Sequence, residues 1–302
     1  MPADDEVLIR ASATTVNSGD ARVRALRVPR GLGPLLRVRL GLRGPRQPIL
    51  GLEVAGRVEA VGSAVTRLRP GDRVVASRGF AFGGHAEYVA VREGAAIAVI
   101  PEGLADQDAV ALCFGGTTAL DFFRRGKLAA GERVLITGAS GAVGTMAVQL
   151  AAHEGAEVTA VCSAANADLV RDLGADHVVD YAVEDFTRSG ERYDVIMDAH
   201  GSAPYARVRG CLAPGGRFLM VVGDVGQMLA ALGQRATVGG TAMPTAEGYR
   251  TLMSLAEAGA LRAVIDSVLP FERIVDAHRR VDGGHKVGSL VLTFEPDGVA
   301  AT

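Results

Sequence analysis

The stretch from Val134 to Leu150, VLITGASGAVGTMAVQL, constrains the fold more than any other part of the chain. Val134 to Thr137 read as a short buried strand. Gly138, Gly141 and Gly144 follow at even spacing, and Ala142, Val143, Met146, Ala147 and Leu150 then recur at helical intervals. The order is strand, tight glycine turn, helix. Small residues at such a turn let the backbone approach a pyrophosphate, and the helix start adds free N–H groups and the positive end of its dipole. Glycine-rich turns also occur without ligands, so context decides. Here a strand precedes, a helix follows, and a second strand is expected at Glu157–Cys162. The stretch is therefore read as a dinucleotide site, with Ser140, Gly141, Ala142, Val143 and Gly144 lining it.

From Glu132 onward strands and helices alternate. Strands are expected at Asp176–Tyr181, Tyr193–Asp198 and Arg217–Val222, and helices at Ala167–Leu173 and Ala203–Leu212. Such alternation implies an α/β domain with a doubly wound parallel sheet and helices on both faces. Residues 1 to about 100 are β-rich instead. Apolar residues alternate in Glu6–Ala13 and Val54–Val61, a strand at Val74–Ala76 follows the Pro70-Gly71-Asp72-Arg73 turn, and Ala86–Val91 is another. Asp106 is positioned to cap a helix through Leu112, and Gly115 to open a second. After Pro244 come a helix (Thr245–Ala258), a strand (Val264–Leu269), a helix (Glu272–Arg280) and a strand (Ser289–Phe294). The segment from Arg22 to Gly44 carries Arg22, Arg24, Arg27, Arg30, Arg37, Arg39 and Arg43. It reads as a solvated loop or a lid with a short helix.

The length of 302 residues and a hydrophobic share of 48% suffice for two domains or one large one. A formal net charge of −2, with acids and bases interspersed, gives nucleic acid no electrostatic footprint. Cys113, Cys162 and Cys211 lie far apart with no CxxC spacing, which points to buried thiols in a reducing compartment. The acidic start, Met-Pro-Ala-Asp-Asp-Glu, does not resemble a signal peptide. The apolar run from Val134 to Ala152 is broken by glycines and belongs to the strand-turn-helix, so no membrane span is expected. A cytoplasmic protein is the expectation.

The type of dinucleotide is read about 20 residues past the glycines, where an NAD site places an acid on the ribose 2′-OH. Here the second strand ends Val161-Cys-Ser-Ala-Ala-Asn166, with no Asp or Glu at its tip. Ser163 can donate to a 2′-phosphate, Asn166 can assist, and Tyr181 at the end of the third strand lies within reach. No Arg or Lys falls in 163–170, and Arg171 sits a turn further on. NADP is preferred over NAD. Ser163 also reads as a helix cap, and the two roles are compatible.

Several motifs then occur in a fixed order: PILGLEVAGRVEAVG from Pro48 to Gly62, Pro70-Gly-Asp-Arg-Val74, Ala86-Glu-Tyr-Val89, Gly115-Gly-Thr-Thr-Ala119, the glycine turn, and Leu173-Gly-Ala-Asp176. Over nearly its whole length the chain resembles the medium-chain dehydrogenase/reductase superfamily, and within it the zinc-independent quinone oxidoreductase branch. The resemblance implies a GroES-like β-barrel catalytic domain, built from residues 1–105 and 244–302, packed on a Rossmann domain at 106–243. It also implies a cleft for nicotinamide and substrate, and a homo-oligomer. Zinc alcohol dehydrogenases of this superfamily carry a Cys and a Gly-His-Glu where this chain has Asn17 and Gly51-Leu52-Glu53. The four-cysteine lobe is missing too, so no metal is expected. Asn17 matches a family position beside the nicotinamide and is the candidate catalytic residue, although it also reads as a turn asparagine. Thr117 matches a threonine near the carboxamide or is a helix cap. Lys286, in Gly284-His-Lys-Val-Gly288, matches a segment where it meets a cofactor phosphate, or is a surface lysine at a strand start. His85 and Glu53 read as satisfied polar residues at a domain junction. The resemblance leads to the expectation that an N-terminal hairpin of the family is missing and that an edge strand is left exposed.

These residues lead to the expectation of an NADPH-dependent oxidoreductase that transfers hydride to quinones or α,β-unsaturated carbonyls without zinc. The partners are then small-molecule carbonyl or quinone substrates, with no nucleic acid and no membrane. A short-chain dehydrogenase is excluded because none of the five tyrosines has a lysine four residues on. A non-enzymatic NADP-binding protein with a structural or regulatory role remains the alternative.

Overall fold

The computed structural model describes residues 1–25, 47–223, 226 and 236–294. Arg27, Arg30, Arg37, Arg39 and Arg43 of the arginine-rich segment lie outside the described residues, so its reading as a loop or lid is left there. The described chain divides into two units, and the second comprises residues 118–243.

The first unit opens with β1 (Glu6–Val16), an eleven-residue strand whose Val7, Ile9, Ala11 and Ala13 alternate into the interior. Helix α1 (Ser18–Arg24) follows, then β2 (Glu53–Val61), β3 (Arg73–Ser77), β4 (Tyr88–Arg92) and β5 (Ala96–Val99). Strand β4 starts two residues later than the alternation suggests. β5 carries no sequence signal, because Ala-Ile-Ala-Val is too short for a period, and it is fixed by pairing with β3. Val7, Ile9, Val54, Val58, Val74, Val89, Val91 and Ile97 form the core against which these strands close.

Helix α2 (Asp106–Gly126) is one helix, where two were expected. The glycines at its middle do not open a turn. A Cβ on Gly116 would lie 2.5 Å from the Leu252 side chain, so the bare backbone is there for close packing. Thr117 is consequently interior to a helix and caps nothing.

The second unit is a parallel sheet of β6 (Arg133–Thr137), β7 (Glu157–Cys162), β8 (His177–Asp180), β9 (Tyr193–Asp198), β10 (Leu212–Met220) and β11 (Thr237–Gly239). The strand order among the described residues is β11-β10-β9-β6-β7-β8. The order reverses between β6 and β9, the switch point where doubly wound sheets bind ligands. Helices α3 (Ala142–His153), α4 (Ala167–Asp172) and α5 (Tyr205–Val208) connect the strands. The helix expected at Ala203–Leu212 is only α5 and a 3-10 turn to Cys211, because Leu212 already pairs with Tyr193 in the sheet.

The chain then returns to the first unit with α6 (Ala246–Glu257), capped by the Thr245 side chain, β12 (Ile265–Pro270), α7 (Ile274–Asp282) and β13 (Ser289–Thr293). β13 pairs antiparallel with β1, so sequence from both ends builds one sheet. The first strand is paired on both sides. Glu6–Arg10 pair with β4 and Ala13–Val16 with β13, while β2 runs along the other side. No helix of the described residues is long and apolar enough to cross a membrane.

Gly144 sets how closely α3 approaches the turn after β6. A Cβ there would lie 2.1 Å from the Gly138 carbonyl oxygen and 2.6 Å from the Ala139 Cα, both backbone atoms. Gly141 has more room, with its Cβ 3.4 Å from the same oxygen. Gly144→Ala should therefore cost about 1–3 kcal/mol through overpacking and lower the thermal midpoint, whereas Gly141→Ala costs less. Equal midpoints for Gly144→Ala and wild type in calorimetry would contradict this packing.

Candidate functional site

In the second unit the chain leaves β6 through Gly138, whose φ of +64° is the left-handed region that glycine adopts freely. Gly141 is the N-cap of α3 and supplies no side-chain cap. The first intrahelical bond runs from the Thr145 N–H to the Gly141 carbonyl. The N–H groups of Ala142, Val143 and Gly144 thus stand outside the helix ladder at the positive end of its dipole. An uncapped helix start behind a glycine turn fits a pyrophosphate.

Beside it, at the tip of β7, the Asn166 side-chain nitrogen donates to the Ser140 hydroxyl at 3.0 Å and to the Ser163 hydroxyl at 3.3 Å. Three sequence-predicted residues are therefore brought together by direct hydrogen bonds. Each serine oxygen accepts from the amide, which leaves its own O–H to donate outward. Ser163 stands at the N-cap of a 3-10 turn but makes no side-chain cap bond, so the capping role does not materialise. Tyr181 is adjacent: its backbone N–H donates to the Cys162 carbonyl, and its ring is exposed. Arg171 bonds Asp168 on its own helix at 2.9 Å.

The first unit holds a second set of groups, and nearly all are buried. Asn17 caps α1. Its Oδ1 accepts from the N–H groups of Gly19 at 2.8 Å and Asp20 at 3.2 Å, while its own N–H donates to the Asp20 carboxylate at 3.1 Å, a capping box. The turn-asparagine reading is thus realised, and only the side-chain nitrogen is left for any other role. That nitrogen faces Glu53 Oε2 at 3.4 Å, and the Thr15 hydroxyl donates to the same oxygen at 3.0 Å. Asp20 also accepts from the Gly51 N–H at 2.9 Å. Burial, followed by the Asp20 charge, pushes Glu53 up to about 8, against the two hydrogen bonds that pull it down. Burial likewise raises Asp20, with His85 acting in the opposite sense. His85 Nε2 bonds the Thr15 carbonyl at 2.9 Å, so that nitrogen carries the hydrogen.

Thr117 is buried on α2, and its hydroxyl has no hydrogen-bond partner among the described residues. An orphaned buried hydroxyl fits a polar group of a bound ligand. Lys286 is part-buried ahead of β13, where its Nζ donates to the Gly288 carbonyl, and burial pushes it down to about 8. It is therefore not the exposed lysine that one reading of the sequence allowed. Among the described residues no group of three or more His, Cys, Asp or Glu is placed to hold a metal ion. Zinc takes three or four such ligands, and the Asn17 amide with the Glu53 carboxyl does not make a set that fits it.

Sequence reasoning missed the Asp20–Glu53 pair. Asn17-x-x-Asp20 is a capping-box spacing and signals the first partner. Glu53 is 36 positions from Asn17 and arrives only through the register that sets Thr14 opposite Val54.

Comparison with known proteins finds two family matches, the second of which runs past residue 243, where the second unit ends. Residues 3–102 match the alcohol dehydrogenase GroES-like domain, and residues 173–292 match the zinc-binding dehydrogenase family. A chloroplastic quinone-oxidoreductase homolog of Spinacia oleracea is 34% identical over 308 residues, covering 96% of this chain and 90% of the relative. A chloroplastic NADPH-dependent alkenal/one oxidoreductase of Arabidopsis thaliana is 31% identical over 302 residues, covering 96% and 72%. Among solved structures, the quinone oxidoreductase from Coxiella burnetii superposes with a TM-score of 0.86 at 26% identity, over 98% of this chain and 92% of that one.

Proposed function

The chain belongs to the medium-chain dehydrogenase/reductase superfamily, in its quinone oxidoreductase-like branch, and on that premise we propose that it is an NADPH-dependent oxidoreductase reducing quinones or α,β-unsaturated carbonyls without zinc. The observation that carries the reading is what stands where the resemblance puts the zinc ligands: the buried amide of Asn17 in place of the Cys and the hydrocarbon of Leu52 in place of the His, with the retained Glu53 carboxyl against the amide. That pair can donate a hydrogen bond to an oxygen but cannot gather a zinc ligand set. The names of the spinach and Arabidopsis relatives support the same reaction class.

The residues present fit a dinucleotide. The N–H groups of Ala142, Val143 and Gly144 would take its pyrophosphate. The Ser140 and Ser163 hydroxyls would donate to a 2′-phosphate; β7 itself runs into Ser163 with no acid at its tip, while Asp180 of β8 lies opposite Cys162 with its carboxylate accepting from the Ala182 N–H. Thr117 and Lys286 are the proposed partners of the carboxamide and of a phosphate. A bound NADPH would supply a hydride, which needs an electron-poor carbon to accept it. The chain's own contribution is to hold the acceptor in place and to offer the Asn17 N–H where negative charge grows on the acceptor oxygen. No residue is assigned the final proton, which is left to water. A homo-oligomer belongs to the same proposal.

Two measurements test this. Ser163→Asp puts a charge where the 2′-phosphate is proposed to sit; it should weaken NADPH strongly and spare NADH in fluorescence titrations. Loss of both cofactors alike would sink the assignment. In steady-state assays with chelator present, NADPH should be consumed with 9,10-phenanthrenequinone or a simple enone, while ethanol with NADP is inert. Robust ethanol oxidation with both acceptors inert would overturn the reaction class, and cofactor binding without any turnover would favour a non-enzymatic role.

A further inference from the structure

An amide has two ends, and at Asn17 both are committed. The oxygen accepts from two N–H groups at the start of α1, and the nitrogen faces Glu53. Turning the amide over would set its NH2 against the donors Gly19 and Asp20, and its oxygen against a Glu53 oxygen that already accepts from Thr15. We propose that Glu53 is a positioning residue that fixes the Asn17 amide as a one-way donor, oxygen to the helix start and the second N–H outward. The inference rests on the reading of Asn17 as donor to the acceptor oxygen. It deepens that reading by stating which partners Asn17 admits: a carbonyl, quinone or hydroxyl oxygen, never an N–H.

The charge state of Glu53 matters to this role. The titratable groups facing the cluster are Asp20 from α1, His85 from the loop before β4, Cys113 from α2 and Tyr249 from α6. Burial raises Cys113 and Tyr249 well above their ordinary values, so both stay neutral. Asp20 is a second acid whose charge adds to burial in raising Glu53. The carboxyl therefore holds its proton at neutral pH, and its unprotonated oxygen still accepts from Thr15 and Asn17. Ionisation puts a negative charge beside the amide that must stabilise growing negative charge on the acceptor. In a buried site that repulsion opposes the reaction.

The sign for stability follows from the same shift. The folded state keeps a proton that the unfolded chain gives up near 4.5, so the contribution is fully present below that pH and lost as pH rises through about 8.

The test compares wild type with Glu53→Leu and Glu53→Gln. Glu53→Leu removes the acceptor and should lower kcat about tenfold, the worth of one hydrogen bond, with the KM for NADPH unchanged. Glu53→Gln keeps a neutral acceptor oxygen. It should recover most of that loss, and its kcat should stay level where wild type declines above about pH 8. An alkaline decline identical in Glu53→Gln and wild type, or a Glu53→Gln loss as large as that of Glu53→Leu, would overturn the proposal. A readout without turnover separates its failure from that of the functional reading. The Asn17 side-chain amide resonances in 15N spectra should move through the same pH range in wild type and stay fixed in Glu53→Gln. If no acceptor is reduced, the functional reading fails, and these resonances alone decide the pairing. Resonances that move equally in both proteins refute it.

Discussion

Strand β1 is paired on both sides, with β2 over Val7–Thr14 along one edge, and with β4 over Glu6–Arg10 and then β13 over Ala13–Val16 along the other. Such a strand has no freedom to slip, because a one-residue shift would turn Val7, Ile9 and Ala11 out of the core. Its last residues inherit that fixity. The Thr14 hydroxyl donates to the Glu53 backbone carbonyl at 2.7 Å and the Thr15 hydroxyl to the Glu53 carboxyl at 3.0 Å. Two residues later Asn17 ends the strand's run and starts α1. The β1–β2 register thus delivers an amide and a carboxyl to each other with both backbones already held, and the unit keeps two acids buried, with His85 acting on Asp20 against the effect of burial.

The second unit solves a different problem with fewer parts. A phosphate site needs unpaired N–H groups, and unpaired N–H groups are costly unless something polar meets them. An uncapped helix start behind Gly138 and Gly141 supplies them where the sheet order reverses. The Ser140–Asn166–Ser163 cluster extends that polar surface from the glycine turn to the tip of β7.

Much of this was legible in the amino-acid sequence because it is local. The glycine spacing, the helical recurrence after it and the alternation of Glu6–Ala13 are short-range signals, and each produced an element where it was expected. The miscounted helix has a physical reason. Gly115 and Gly116 look like a break, and only the Leu252 side chain, supplied by α6, shows why a bare backbone is needed at Gly116 inside a continuous helix. β5 and the brevity of α5 are likewise set by partners elsewhere in the sheets. In the candidate site, Asn17 was legible as a turn residue with a possible chemical role. The constraint on that role was not, because Glu53 meets it through the sheet. Ser163 was legible from the absence of an acid at its strand tip, while its bond to Asn166 required the turn between them.

On the proposed function, the chain's residues hold an electron-poor acceptor for hydride from NADPH and stabilise charge on its oxygen. The most direct measurement is reduction of an enone by NADPH dideuterated at nicotinamide C4, with the product analysed by mass spectrometry and NMR. One deuterium at the β-carbon, and none at the carbonyl carbon, is the predicted result. Deuterium at the carbonyl carbon, or a product without label, would contradict the account.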